Sequence, residues 1–335
     1  MTQLSLSYDM RAPDVGASAE GLYQAALEQC EWADALGFTG VVLSEHHASP
    51  DGYLPSPLVM ASAIGARTRQ LRIRISLLLL PFYQLNRLAE DAAVCDLICG
   101  GRLDLMVGAG YREEEFEVYG VDIHRRGRMM EQGIRFLKSA WTGEPFEFEG
   151  RTVHILPRPA QRPRPRIILG GASPASAKRA ARLADGYSPI APRLYEIYLE
   201  ELERLGKPTP PVTGPVTSGT SFSLVAVSDD PERTWAAIEK NLLHDAVVYA
   251  SWTSGRRGAM FASITNADQL RASGQYRILT PEECVELARQ AGELTLRPLI
   301  GGIDPALAWV SLELFRDKVL PTLDPGEHID ERTSS

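Results

Sequence analysis

Short apolar runs alternate with longer stretches of helical spacing along the whole chain. Leu4 to Tyr8 alternates apolar and polar residues, as a first strand does. Glu20 to Leu36 places Leu22, Ala26, Cys30 and Ala33 on one helical face and stops at Gly37. Gly40 to Leu43 predicts a short second strand. Ser56 to Thr68 predicts a helix with Pro57 in its first turn. Leu71 to Leu80 contains a third strand, apolar enough to be covered on both faces as in a parallel sheet. The same rhythm predicts a helix over Leu85 to Ile98, a fourth strand over Leu103 to Val107 and a long helix over Arg126 to Trp141. Pro145 to Ile155 reads as a small hairpin turning at Glu149-Gly150.

Beyond the proline-rich connector Pro157 to Pro165 the alternation resumes. Arg166 to Leu169, Asp185 to Ile190, Phe222 to Val227 and Leu294 to Ile300 predict strands five to eight. Helices are predicted over Pro174 to Ala184, Leu194 to Leu205, Pro231 to Val248, Pro281 to Gln290 and Pro305 to Leu320, and Lys207 to Gly219 reads as a proline-rich loop. Only Trp252 to Ile278 breaks the pattern, and residues 249–280 are expected as an inserted lid before strand eight. Eight strands each followed by a helix predict one (β/α)8 TIM-barrel domain over residues 1–335, with a loose tail at 322–335.

Composition narrows the function classes. Of the 335 residues 44% are hydrophobic and 23% charged, and the formal net charge is −8, which suits a soluble globular protein and argues against nucleic-acid binding. The longest apolar run, Ile75 to Phe82, is too short to span a bilayer, and no signal-peptide core precedes Pro13. Four cysteines without a CxxC pair fit a cytoplasmic protein with buried thiols and no zinc.

A barrel carries its chemistry just after its strands. Ser44-Glu45-His46-His47 follows strand two. Neighbours on an extended strand point to opposite sides, so His46 and His47 do not converge on one metal ion, and no metal is expected. One histidine facing the barrel axis suits a proton donor or hydrogen-bond partner. Val107-Gly108-Ala109-Gly110-Tyr111 follows strand four; its glycines allow close backbone approach, but Glu113 stands where a dinucleotide fingerprint needs a third glycine. Gly170-Gly171-Ala172-Ser173 leads into a helix whose N-terminus can hold a phosphate, with Gly301-Gly302 after strand eight as a rival.

Together these motifs resemble the bacterial luciferase superfamily of flavin- and deazaflavin-dependent barrel enzymes. The resemblance runs from Ser44 to Ile190 and from Pro231 to Pro321. Ala89-Glu90-Asp91 with Asp96, Gly100-Gly101-Arg102-Leu103, Glu115-Phe116 with Gly120-Val121, and Ala184-Asp185-Gly186 also carry it. It implies that His46 faces the flavin ring as the catalytic histidine. It implies that Ser76-Leu77 is a non-proline cis peptide against the ring, and that Gly108, Ala109, Gly110 and Tyr111 border the cofactor. It implies that Gly170, Gly171, Ala172, Ser173 and Ser176 cradle its phosphate, leaving Gly301-Gly302 to border the substrate opening. Three positions depart from the family pattern: Ala109 replaces a phosphate-binding arginine, Gln84-Leu85 a frequent His-Pro, and Gly108 a reactive-site cysteine. Aldehyde-oxidising bioluminescence is therefore not expected.

The implied function is an FMN-dependent monooxygenase that takes reduced flavin from a separate flavin reductase and oxidises a small organic substrate with oxygen. The alternatives are F420-dependent hydride transfer and a non-catalytic flavin-binding protein. Glu45-His46-His47 leans toward FMN, because the F420 branch often carries Asp-His there. The resemblance also implies a homodimer packed through Ser56 to Thr68 and Leu85 to Ile98.

Overall fold

The computed structural model describes residues 2–210, 223–253 and 264–323. Its strands are β1 (Gln3–Tyr8), β2 (Gly40–Leu43), β3 (Arg72–Leu79), β4 (Leu103–Gly108), β5 (Phe146–Phe148), β6 (Arg151–Val153), β7 (Ile167–Gly171), β8 (Gly186–Pro189), β9 (Ser223–Val227), β10 (Tyr276–Leu279) and β11 (Glu293–Leu296). Its helices are α1 (Ala19–Ala35), α2 (Pro57–Arg67), α3 (Leu85–Ile98), α4 (Glu113–Val118), α5 (Arg126–Ala140), α6 (Pro174–Leu183), α7 (Pro192–Arg204), α8 (Pro231–Thr253), α9 (Ala267–Ala272), α10 (Pro281–Ala291), α11 (Pro305–Leu314) and α12 (Leu320–Leu323). Nine strands form one sheet in the order β10-β9-β11-β1-β2-β3-β4-β7-β8. Every pairing in it is parallel, as connection by alternating helices requires. This is β/α-barrel architecture, but the ring is not closed: β8 and β10 end the order with no described pairing between them.

Every residue of β4 is buried, so both faces of the sheet are covered at that strand, which reads as a largely apolar run. The hairpin β5–β6 turns at Glu149 (φ 49°) and Gly150 (φ 73°), the left-handed pair that a two-residue turn needs. Thr280 caps α10 in a reciprocal capping box with Glu283, and left-handed Gly292 ends that helix. All four cysteines are buried and unpaired.

The structure differs from the sequence expectation in three places. Residues 249–280 are not a plain insertion: they hold the end of α8, then α9, then β10. β10 is a ninth strand of the main sheet, parallel to β9. It escaped the pattern because it lies at the end of the sheet and buries only Tyr276. Second, α8 continues past Val248 to Thr253. Third, α4 was not expected, because its consecutive Glu113, Glu114 and Glu115 look like a solvated charge run. Residues 254–263 of the expected lid, 211–219 of the proline-rich loop and 324–335 of the expected tail lie outside the described residues. No described helix is long and apolar enough to cross a membrane.

Because the strands are parallel, all their C-terminal ends open on one face. That face gathers Asp9 to Arg11 after β1, Glu45 to His47 after β2, Ser76 to Leu79 at the end of β3, Gly108 to Tyr111, and Gly170 to Ser173.

Candidate active site

The segment after β2 sends its side chains to alternate sides, as its extended backbone dictates. The buried Glu115 of α4 meets it from one side: its Oε1 lies 2.8 Å from His46 Nδ1 and accepts the His47 backbone N–H at 2.8 Å. A carboxylate has no proton to give, so Nδ1 carries the hydrogen and Nε2 stays available on the other side of the ring. Arg112 Nη1 donates to the His47 carbonyl at 2.8 Å and lies 3.4 Å from Glu115 Oε1. Burial pushes the Glu115 carboxyl up, but His46, the His47 N–H and Arg112 outweigh it and hold it below the ordinary carboxylate range.

His47 is spent on structure. Its Nε2 lies 2.8 Å from Glu45 Oε1, and its Nδ1 2.8 Å from the Tyr119 hydroxyl. Glu45 also accepts the Leu79 N–H at 2.9 Å and the Tyr83 hydroxyl at 2.9 Å, tying the end of β3 to the loop after β2. With both ring nitrogens bonded, His47 has none left for an ion.

The peptide between Ser76 and Leu77 is cis, as the resemblance implied. The Leu77 side chain lies across two neighbouring strand ends. A Cβ at Gly108 would come 2.7 Å from Leu77 Cδ1, and one at Gly170 would come 2.4 Å from Leu77 Cδ2. These two glycines thus make room for Leu77, so that three strand ends meet in one apolar surface. Ala109 and Gly110 continue that edge, and Tyr111 brings its ring centroid to 5.6 Å from that of His46.

At the end of β7, Ser173 caps α6, and its side chain forms a reciprocal capping box with Ser176. The Ser176 hydroxyl donates to the Ser173 carbonyl at 2.6 Å and lies 3.0 Å from the Tyr187 hydroxyl. Gly171 is needed because a Cβ there would sit 2.2 Å from Ser176 Oγ. Ala172 is exposed beside this helix start. Gly301 and Gly302, by contrast, are buried. A Cβ at Gly301 would meet the Asn241 carbonyl of α8 at 2.3 Å, and Gly302 packs on Pro13, so the protein itself fills this rival position.

The sequence reading missed the buried charges behind His46. Arg11 has no exposed surface and pairs with Asp51, with its Nε 3.2 Å from Asp245 Oδ1. Asp51 also lies 2.8 Å from His244 Nε2, and Arg297 donates to Asp9 at 3.0 Å. Burial pushes Asp51 up, but Arg11, Ser49 and His244 together lower it to about 2. Burial and the nearby Asp9 raise the Asp245 carboxyl instead, despite Arg297 and Arg11. α8 supplies one wall through Asn241, Asp245, Tyr249 and Trp252, spaced four, four and three apart along one helical face. That spacing was the legible signal for the extra turn of helix.

A family model described as luciferase-like monooxygenase matches residues 7–295. The oxygenase component of the flavin-dependent trigonelline monooxygenase of Acinetobacter baylyi is 30% identical over 162 residues, 46% of this chain and 45% of that one. An F420-dependent glucose-6-phosphate dehydrogenase of Microbacterium testaceum is 29% identical over 181 residues, 51% of this chain and 53% of that one. The matched segments span about half the length of such curated relatives. The oxygenating constituent of 3,6-diketocamphane monooxygenase of Pseudomonas putida, solved with FMN, superposes with a TM-score of 0.71 at 19% identity, covering 97% of this chain and 99% of that one; this likeness bears on the fold.

Proposed function

We propose that this chain, which belongs to the luciferase-like monooxygenase family, is an FMN-dependent monooxygenase served by a separate flavin reductase. The observation that carries the reading is the pairing of His46 with buried Glu115 at the strand ends, beside the apolar surface of Leu77. Both curated relatives described above act with a flavin or a deazaflavin by name, and that pair of cofactors bounds the choice.

The residues fit such a cofactor. Leu77, with Gly108 to Tyr111 beside it, offers a flat apolar edge to the ring system. Gly171, Ala172 and Ala175 offer backbone N–H groups, with the dipole of α6, to a phosphate, whereas the capping box holds those of Ser173 and Ser176 and Pro174 has none. Ser176 would serve by shaping that turn, since its hydroxyl is committed to Ser173 and Tyr187. Reduced FMN, when bound, supplies the electrons for oxygen activation.

His46 then acts through Nε2. Glu115 fixes the tautomer, so Nε2 accepts a proton from the reacting group or, once protonated, returns it. The surrounding rings of Tyr53, Tyr111 and Trp252 leave His46 nearly buried and keep water away from that proton. Residues 249–280 contribute Tyr249 and Trp252 to this cover.

Exposed side chains of the outer helices support a homodimer. Val59 of α2 and Val94, Leu97 and Ile98 of α3 are exposed aliphatic side chains on two adjacent helices.

The test of the catalytic role is His46→Ala. Bound reduced FMN mixed with oxygenated buffer should be reoxidised with altered kinetics in the variant. An unchanged trace in a folded, FMN-binding variant would remove His46 from the chemistry.

A further inference from the structure

One cation lies beneath three rings of the wall over His46. The Arg11 guanidinium carbon is 4.7 Å from the Tyr53 ring centroid, 4.8 Å from that of Tyr249 and 4.5 Å from that of Trp252. The same three rings lie 5.0, 6.4 and 4.7 Å from the ring of His46. We infer that Tyr249 and Trp252, backed by the buried Tyr53, form a binding wall for a flat aromatic substrate, and that Arg11 is the positioning residue that holds it. This rests on the reading of His46 as the reacting end of the site.

Three features support it. Arg11 cannot drift: it is wholly buried, bonded to Asp51 and close to Asp245, and its own N–H donates to Asp9 Oδ1 at 3.1 Å. A buried ion cluster of this kind is a poor stabiliser relative to apolar packing, so its place under three rings points to positioning. The rings are also fixed to one another and from a second side: the Tyr53 and Tyr249 hydroxyls are 2.8 Å apart, and the Arg112 guanidinium carbon lies 4.1 Å from the Trp252 ring centroid. Finally, Tyr249 and Trp252 keep part of their surface open, whereas Tyr53 behind them is sealed. A wall held rigid before binding costs a ligand little ordering. With guanidinium groups on the ring faces, the open ring edges gain edge-to-face contact with an arene that an alkyl chain does not provide.

The test is calorimetric titration of FMN-loaded protein with 2-naphthol and, separately, 1-decanol. Two ring contacts predict 2-naphthol binding on the order of tenfold tighter. Trp252→Leu, at the end of α8, removes one of the two contacts and should cut the preference to about threefold. Arg11→Met should weaken the preference and Arg11→Lys restore part of it. Equal or tighter binding of 1-decanol by the unaltered protein overturns the proposal, as does a preference undiminished in Trp252→Leu. The same titrations without FMN separate this inference from the functional reading: failure to take up FMN counts against the latter, and loss of probe discrimination against the former.

Discussion

Replacing Glu115 by Gln removes one charge from the centre of the site and little volume. In the native protein Glu115 Oε1 meets His46 Nδ1 and the His47 N–H at 2.8 Å each, with Arg112 at 3.4 Å. A hydrogen bond to an ionised partner contributes about 1.5–3 kcal/mol, and a neutral one about 0.5–1.5 kcal/mol. The amide can replace these bonds only with neutral ones, so the loss is about 1–3 kcal/mol, or roughly 5- to 150-fold in the population of correctly oriented His46. Nitrogen-15 NMR of labelled histidine reads the consequence directly. The native protein should carry the His46 proton on Nδ1, and the variant should show both tautomers. Reoxidation of bound reduced FMN should change in the same direction as in His46→Ala, and Glu115→Gln should add little in the His46→Ala background. The reasoning is refuted if the variant keeps the Nδ1 tautomer and the native trace, or if its effect is as large without His46.

Two further outcomes follow from charges and surfaces away from His46. Burial pushes the Asp185 carboxyl up, but Arg164 at 2.6 Å, the Ile167 N–H at 2.9 Å and Lys138 at 3.1 Å lower it to about 2, as Arg11 and its neighbours do for Asp51. Both groups sit below the unfolded value of 3.8. Their stabilisation, about 2 kcal/mol each, is therefore complete above the unfolded value and lost as pH falls toward 2. Urea midpoints should hold from pH 7 to about 5 and drop between about 4 and 2, with a shallower drop in Asp185→Asn; an unchanged slope in that variant contradicts the assignment. For the dimer, light scattering should give twice the chain mass for the native protein and the single mass for Leu97→Asp, whose carboxylate would lie within the aliphatic patch of α2 and α3. A native protein that is monomeric at micromolar concentration rules the interface out.

Much of the frame was legible because short apolar or alternating runs recur between segments of helical spacing. Gly40 to Leu43 and Leu85 to Ile98 coincide with β2 and α3 residue for residue. The turn at Glu149-Gly150 was likewise readable, while the cis bond at Ser76-Leu77 was implied only by the family resemblance. What the chain concealed depends on contacts distant in sequence. Arg11 finds Asp51 and Asp245, 40 and 234 positions away, and no local pattern marks any of the three as buried. Glu115 sits in an acidic run, so its burial shows only once α4 packs against the loop after β2. The glycines of the mouth invited a reading as space for a ligand, yet Gly108 and Gly170 are spaced to admit Leu77.

The most direct test of the account is spectroscopic titration of the purified protein with FMN and with F420, each oxidised and reduced. The account predicts selective, saturable binding of FMN, tighter in the reduced form that a reductase would deliver. Selective binding of F420 would contradict it and transfer the same pocket to hydride transfer.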